Sequence, residues 1–181
     1  MSAADFNGDN YLDIAVPHKG TDNRPYPAYT ISVLFGNGDG TFQSDPRYAT
    51  GTNPIWVDGA DFNKDGNLDL VTPNGGSSNA SILLGVGDGT FQPAVNYAVG
   101  NQPFATAIND FNNDGKMDLA VSNRADNNIS VLMGNGDGTF QTAINYTPAT
   151  KPWQIAAADF NKDGKIDLVG GGSILLGNGD G

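Results

Sequence analysis

The 181-residue chain contains no cysteine and no glutamate. The absence of cysteine excludes disulfides, thiol nucleophiles and cysteine-ligated metals. All 20 acidic residues are therefore Asp, which favours turns and helix caps, whereas Glu is a good helix former. Together with 21 Asn and 25 Gly residues, this composition predicts an all-β protein that is rich in turns.

Long apolar runs and a surplus of basic residues are also missing. No segment approaches the roughly 18 consecutive apolar residues of a spanning helix, so we expect no membrane span. The net charge is −11 and the isoelectric point is about 4.1. We expect no nucleic-acid partner, because proteins that bind nucleic acids neutralise phosphates with basic side chains. A chain this acidic is better suited to binding cations.

Two motifs alternate along the chain. The first is a nine-residue acidic loop that starts at Asp5, Asp61, Asp110 and Asp159 and reads, for example, DFNKDGNLD over residues 61–69. The second is a turn motif with the sequence GNGDGTFQ over 36–43, GVGDGTFQ over 85–92, GNGDGTFQ over 134–141 and GNGDG over 177–181. The acidic loops start 56, 49 and 49 residues apart. Four copies of a motif pair at this spacing indicate a structural repeat.

Short β-branched or alternating segments between the motifs predict four strands in each repeat. In the second repeat they cover residues 55–60, 68–72, 81–84 and 90–97. Four strands in about 49 residues predict a β-propeller made of four-stranded antiparallel blades. The predicted blades cover approximately residues 1–50, 51–99, 100–148 and 149–181 of a single propeller domain or propeller fragment. Three blades are complete, and the fourth lacks its outer strand.

Antiparallel strands alternate in direction, which fixes where the two motifs lie. The acidic loop joins the first strand to the second, and the turn motif joins the third to the fourth as a tight hairpin. Both motifs therefore lie at the same end of each blade. The remaining connections lie at the opposite end.

The acidic loop predicts a calcium site. Positions 1, 3, 5 and 9 offer side-chain oxygens, position 7 offers a backbone carbonyl, and Gly at position 6 permits a sharp turn. Calcium prefers such oxygen ligands, whereas zinc prefers His or Cys. We predict up to four calcium ions. Their ligands are Asp5, Asn7, Asp9, Tyr11 and Asp13; Asp61, Asn63, Asp65, Asn67 and Asp69; Asp110, Asn112, Asp114, Lys116 and Asp118; and Asp159, Asn161, Asp163, Lys165 and Asp167, with Tyr11, Asn67, Lys116 and Lys165 acting through their carbonyls.

Two alternatives compete with this prediction. Asp, Asn and Gly also make good turns without any metal, but three carboxylates within nine residues repel one another unless a cation is present. An EF-hand loop begins in the same way, yet it requires a carboxylate at position 12. That position is occupied by Val16, Thr72, Val121 or Gly170. The first copy also has Asn10 where the others have Gly, and Asn tolerates a positive φ.

The sequence DFNKDGNLDL, followed by LLGVGDGTF, resembles the FG-GAP-like repeats, also called VCBS-type repeats, of bacterial surface proteins and integrin α-chain propellers. This resemblance implies a β-propeller, typically of seven blades, with calcium bound in the loops between the first and second strands. The Gly-Ala-Pro part of the family's name is not visible here, which places the chain nearer the bacterial branch. Four blades fall short of seven, so the chain is a fragment, a small ring, or half of a ring completed by a second copy.

A protein or glycan ligand is expected at the end opposite the calcium loops, where the repeat does not fix the loop sequences. The first repeat carries a longer loop there, residues 17–29. The candidate ligand-binding residues are His18, Arg24, Tyr26, Tyr29 and Trp56. A solvated, Pro-stiffened loop is the simpler interpretation of residues 17–29.

Catalysis has few candidate residues, because the chain has one His and neither Cys nor Glu. We therefore expect a non-catalytic calcium-binding module, acting in adhesion, protein interaction or scaffolding. A lectin-like propeller that binds carbohydrate is the alternative. We expect a secreted or cell-surface protein, because weak calcium sites are filled only at millimolar extracellular calcium.

Overall fold

The computed structural model describes residues 1–20, 29–43 and 46–181, which form 15 β-strands and no helix. Sheet 1 contains β1 (Ser2–Ala4), β2 (Asp13–His18), β3 (Thr30–Leu34) and β4 (Arg47–Ala49). Sheet 2 contains β5 (Asp58–Ala60), β6 (Asp69–Asn74), β7 (Asn79–Leu83) and β8 (Val95–Ala98). Sheet 3 contains β9 (Pro103–Asn109), β10 (Asp118–Asn123), β11 (Asn128–Leu132) and β12 (Ile144–Tyr146). Sheet 4 contains β13 (Ile155–Ala158), β14 (Asp167–Gly170) and β15 (Ser173–Leu175).

Every sheet is antiparallel, and its strands follow one another in chain order. In sheet 2, for example, Leu70 pairs with Gly59 on one side and with Leu83 on the other. The acidic loops join the first and second strands of each sheet, as the repeat predicted. The prediction of an all-β protein with one antiparallel sheet per repeat is confirmed.

The fourth strand is shorter than predicted. In sheet 2 the turn motif does form a tight hairpin, in which Gly85 pairs with Phe91 and the amide of Val86 donates to the carbonyl of Thr90 at 2.9 Å. After this hairpin the chain separates from β7, and regular pairing with β7 begins again only at Val95. Val95 is 55% exposed, whereas Tyr97 of the same strand packs edge to face on Phe140 with ring centroids 5.4 Å apart.

The core lies between consecutive sheets. Phe62 in the second acidic loop is buried against Leu119, Leu132 and Phe140 of sheet 3. Its ring meets that of Phe140 edge to face, with centroids 5.3 Å apart, which is a favourable aromatic geometry. Phe6 meets Phe91 in the same way at 6.0 Å. The first three acidic loops thus each contribute one aromatic ring, Phe6, Phe62 or Phe111, to the core that joins their own sheet to the next.

None of the described segments is a helix that could cross a membrane.

The two equivalent residues Phe62 and Phe160 provide a test of this packing. Phe62 is 2% exposed and Phe160 is 45% exposed. We expect Phe62→Ala to lower the free energy of unfolding by about 3–5 kcal/mol. Phe160→Ala should cost less than half of that, because less contact is lost. Urea denaturation of both variants measures the difference, and equal losses would contradict the packing described here.

Candidate metal centre

The first Asp of each acidic loop is surrounded by backbone amides of the same loop. In the second loop, Oδ1 of Asp61 accepts from the amide of Asp65 at 3.2 Å, and Oδ2 accepts from the amide of Gly66 at 3.0 Å. The carboxylate at position 1 therefore accepts hydrogen bonds from the backbone amides at positions 5 and 6 of the loop. The same contacts recur at Asp5, Asp110 and Asp159.

Positions 3 and 5 are tied to each other. Oδ1 of Asn63 accepts from the amide of Asp65 at 3.0 Å, and Nδ2 of Asn63 donates to Oδ2 of Asp65 at 2.9 Å. Oδ1 of Asp65 also accepts from the amide of Asn67 at 2.8 Å. The side-chain oxygens of positions 1, 3 and 5 are therefore held in one short loop by its own backbone.

The loop needs two residues in the left-handed backbone conformation. In the second loop these are Lys64, with φ 60°, and Gly66, with φ 87°. In the first loop the glycine stands at position 4 instead of position 6: Gly8 has φ 76° and Asn10, at position 6, has φ 68°. Each loop thus combines one glycine with one residue that adopts a positive φ at some energetic cost. Asn10 supplies the conformation that glycine supplies at position 6 elsewhere.

The ninth residue of each loop has a role that the sequence reasoning missed. Asp69 is fully buried. Its Oδ2 accepts from the amide of Phe62 at 2.8 Å, and its Oδ1 accepts from the amide of Gly85, the first residue of the turn motif, also at 2.8 Å. This carboxylate therefore joins the two motifs. The same pair of bonds is made by Asp13, Asp118 and Asp167.

The two motifs approach each other so closely at this point that only glycine fits. A Cβ atom on Gly85 would lie 2.3 Å from the carbonyl oxygen of Leu68, well inside van der Waals contact. The regular pairing of the two motifs along the chain was the sequence signal for this link. It did not reveal which atoms make it.

Burial, hydrogen bonds and neighbouring charges shift the pKa values of carboxylates in these loops. Burial raises the pKa of Asp69 to about 6, although two amide hydrogen bonds oppose the shift and the charges of Asp65 and Asp61 add to it. Burial also raises the pKa of Asp118. By contrast, the hydrogen bond from the amide of Asn67 lowers the pKa of Asp65. The repulsion that reaches Asp69 from its own loop is what a bound cation would relieve.

The residues present fit a calcium ion in the type and number of their donors. An ionised carboxylate has about four lone pairs, and the two amide bonds to Asp61 use two of them. All the side-chain donors are oxygens, which calcium prefers. Within the described ranges, no three Asp or His side chains already converge as a metal cage. Binding therefore requires the oxygens of positions 1, 3 and 5 to turn toward a common centre.

The predicted ligand-binding residues fall in different places. Trp56 lines a cleft with residues of sheets 3 and 4. His18 lies at the end of β2, with its Nε2 2.7 Å from Oγ of Ser32, and the carbonyl of Tyr29 accepts from the amide of Thr50. Arg24 and Tyr26 lie outside the described residues.

Four antiparallel sheets whose strands follow one another in chain order form an all-β repeat protein, and such sheets are typical of β-propeller blades. The chain matches the FG-GAP-like repeat over residues 5–72, 74–121 and 110–170, and it belongs to this family. The resemblance seen in the sequence is thereby confirmed.

Solved structures of other proteins share this fold, two of them with TM-scores near 0.6. One is an Agrocybe aegerita lectin that recognises non-reducing terminal N-acetylglucosamine, with 22% identity and a TM-score of 0.59 over 93% of this chain. The other is BBS1N, solved in complex with ARL6DN, with 13% identity and a TM-score of 0.60 over 98% of this chain. The chain spans 45% and 56% of their respective lengths. No curated protein gives a significant match.

The buried carboxylate predicts a dependence of stability on pH. The folded-state pKa of Asp69 is raised to about 6 from 3.8, so its ionisation disfavours the folded chain. We expect the free energy of unfolding, measured in chelator, to fall as the pH rises from 4 to 6.5, with a contribution from Asp69 of at most about 3 kcal/mol.

Asp69→Asn should lower stability overall but reduce this slope, because the variant residue does not titrate. Asp88→Asn is the matched control: the hydroxyl of Thr90 lowers the pKa of Asp88 below its usual value, so it does not titrate in this window. An identical slope in wild type and Asp69→Asn would contradict the assignment.

Proposed function

We propose that this protein is a non-catalytic, calcium-stabilised β-propeller module with three complete blades and a partial fourth. The observation that carries the proposal is the repeated acidic loop, in which oxygen donors at positions 1, 3 and 5 lie within one hydrogen-bonded loop and retain free lone pairs. Four divalent cations would neutralise most of the net charge of −11.

The third proposed site has an ammonium group beside its carboxylates. In the third loop, Nζ of Lys116 lies 3.0 Å from Oδ2 of Asp114. This ammonium group already balances part of the loop's negative charge and competes for a carboxylate oxygen. We therefore expect the third loop to bind calcium less tightly than the second, where position 7 is the uncharged Asn67.

The non-catalytic assignment is supported by the surroundings of the acidic residues that lie outside the two motifs. Asp126 accepts from the amide and the side chain of Asn101. Asp58 accepts from the indole of Trp56 and the hydroxyl of Thr106. Each is held by neutral hydrogen-bond donors, an arrangement suited to fixing structure or recognising a ligand. Asp22 and Asp45 lie outside the described residues.

A module of this kind serves adhesion, protein interaction or scaffolding in a secreted or cell-surface protein. Its protein or glycan ligand would bind at the end of the sheets opposite the calcium loops. Calcium sites of extracellular modules have dissociation constants of about 10⁻⁴ to 10⁻³ M, and they fill only where calcium is abundant.

Carbohydrate binding is the second candidate function. It is supported by the cleft beside Trp56 and by the likeness of the fold to a lectin that recognises terminal N-acetylglucosamine. That likeness concerns the fold alone.

Calcium binding is tested by calorimetric titration of the chelator-treated protein. We expect uptake of up to four ions, and stabilisation of about 2.7 kcal/mol per independent site at one hundred times its dissociation constant. The double variant Asp61→Asn and Asp65→Asn should bind one ion fewer. Asp88→Asn, which removes one acidic group from an exposed turn, should leave the number unchanged. A thermal unfolding midpoint that is the same in calcium and in chelator would refute the proposal.

We also propose that a second copy packs head to tail and completes a larger ring. Phe160 and Ile174 of sheet 4 are 45% and 52% exposed, whereas the equivalent Phe62 and Ile82 are buried in the core between sheets 2 and 3. Phe42 of sheet 1 is 44% exposed, and its equivalent Phe91 is buried. The exposed rings therefore stand at positions that form intersheet contacts elsewhere.

Light scattering after size exclusion, in calcium and in chelator, tests this association. We expect a particle of twice the 18.8 kDa of one chain, and Phe160→Asp should convert it to the monomer. A particle of single mass at all accessible concentrations would contradict the proposed second copy.

A further inference from the structure

A cleft of about 210 Å³ opens between the first strands of sheets 2, 3 and 4. It lies toward the beginnings of these strands, whereas the acidic loops follow their ends. The lining residues are Trp56, Asp58, Phe104, Ala105, Thr106, Gln154 and Ile155. Its volume is below the roughly 300 Å³ at the lower end of drug-sized sites, which suits a ligand with a single ring.

The aromatic wall of the cleft is fixed in place. Nε1 of Trp56 donates to Oδ1 of Asp58 at 2.9 Å, and the carbonyl of Trp56 accepts from the hydroxyl of Thr72 at 2.6 Å. Oδ2 of Asp58 accepts from the hydroxyl of the buried Thr106. Trp56 nevertheless remains 37% exposed. A ligand would thus meet a ring that is already oriented, and little ordering entropy would be lost on binding.

Trp56 and Asp58 have no counterparts at the equivalent positions of sheets 3 and 4. Trp56 and Asp58 stand five and three residues before the second acidic loop, and the same positions before the third and fourth loops carry small or uncharged residues. Those residues are Ala105 and Ala107 in sheet 3 and Gln154 and Ala156 in sheet 4. An exposed indole fixed on a carboxylate is therefore a property of this cleft and not of the blade fold.

The chemistry of the lining favours a polyhydroxylated ligand. An indole face packs against the C–H face of a sugar ring, because it is both apolar and large. The carboxylate of Asp58 accepts from hydroxyl groups, and the exposed amide of Gln154 both donates and accepts. A few polar groups beside an aromatic wall are typical of small-molecule sites.

An organic ammonium ion is the competing ligand, since aromatic rings and a carboxylate also attract cations. The guanidinium of Arg124 argues against it. This group lies 5.1 Å from the centroid of Phe104 and 3.5 Å from that of Trp153. A positive charge therefore already occupies the aromatic cluster next to the cleft and would repel a second cation.

We propose that the cleft binds the terminal sugar of a glycan, with the sugar ring packed on Trp56 and its hydroxyls bonded to Asp58 and Gln154. This inference rests on the ligand-binding role proposed above, and it names the ligand class and the residues. It does not require calcium to contact the sugar.

The experiment begins with a glycan array probed in calcium-containing buffer, followed by calorimetric titration of the strongest binding sugar. We expect Trp56→Ala and Asp58→Ala each to weaken binding by at least about tenfold, and Trp56→Phe to retain part of the affinity. Val86→Ala, which removes an exposed apolar side chain from the turn motif of sheet 2, is the control and should bind as wild type. Circular dichroism confirms that each variant is folded.

A second readout follows from the chain having only two Trp residues. Trp153→Phe leaves Trp56 as the sole indole, and its emission should change saturably as the same sugar is added. An array on which no glycan binds would overturn the proposal, and so would a sugar that binds equally well to Trp56→Ala and Asp58→Ala. Choline is titrated in parallel, and saturable choline binding without glycan binding would also overturn it.

Calcium uptake is measured on the same samples to separate the two proposals. A Trp56→Ala protein that takes up calcium normally but no longer binds sugar places the loss in the cleft. Wild type that binds sugar without taking up calcium would refute the metal proposal and leave the cleft assignment standing.

Discussion

The structure depends on one buried carboxylate in each repeat. Asp69 and its equivalents are shielded from water and accept one amide from the acidic loop and one from the turn motif. Removing such an acceptor would leave two buried donors unsatisfied, which is costly in a protein interior. Two segments that lie far apart along the chain are thus fixed to each other at one end of every sheet, and the middle strands between them have little freedom to slip.

This link also explains how sheets join. The amide that Asp69 holds belongs to Phe62, and the ring of Phe62 packs on Phe140 of the following sheet. The bond that closes the acidic loop therefore orients the side chain that builds the next intersheet core. Each sheet is therefore stabilised by its contacts with the neighbouring sheets, as in other repeat proteins.

Sequence reasoning located the motifs, the antiparallel sheets and the residues of the acidic loops, because their spacing repeats and their periodicity is regular. It placed Asp69 among metal ligands and did not find its bonds to two backbone amides, because a sequence pattern does not reveal which amide a carboxylate faces. It extended the outer strand over residues 90–97, although the strand itself covers only Val95–Ala98, because strand propensity does not report how exposed an edge is. Trp56 was predicted as a ligand-binding residue, but its bond to Asp58, and the bond from Thr106 of the next sheet to Asp58, could only be found in three dimensions.

The opposite end of the sheets is held by a separate set of hydrogen bonds, in which the amides of Gly75 and Gly76 donate to the carbonyls of Asn53 and Thr52. The turns between the second and third strands, such as residues 75–78 and 124–127, contact neither the buried carboxylates nor the turn motifs. The first repeat already carries a connection at this end that is seven residues longer than in its neighbours, without loss of the bonds made by Asp13. A foreign peptide grafted into one of these turns would break the hydrogen bonds of its own end, whereas the register set by Asp13 and its equivalents at the far end would remain.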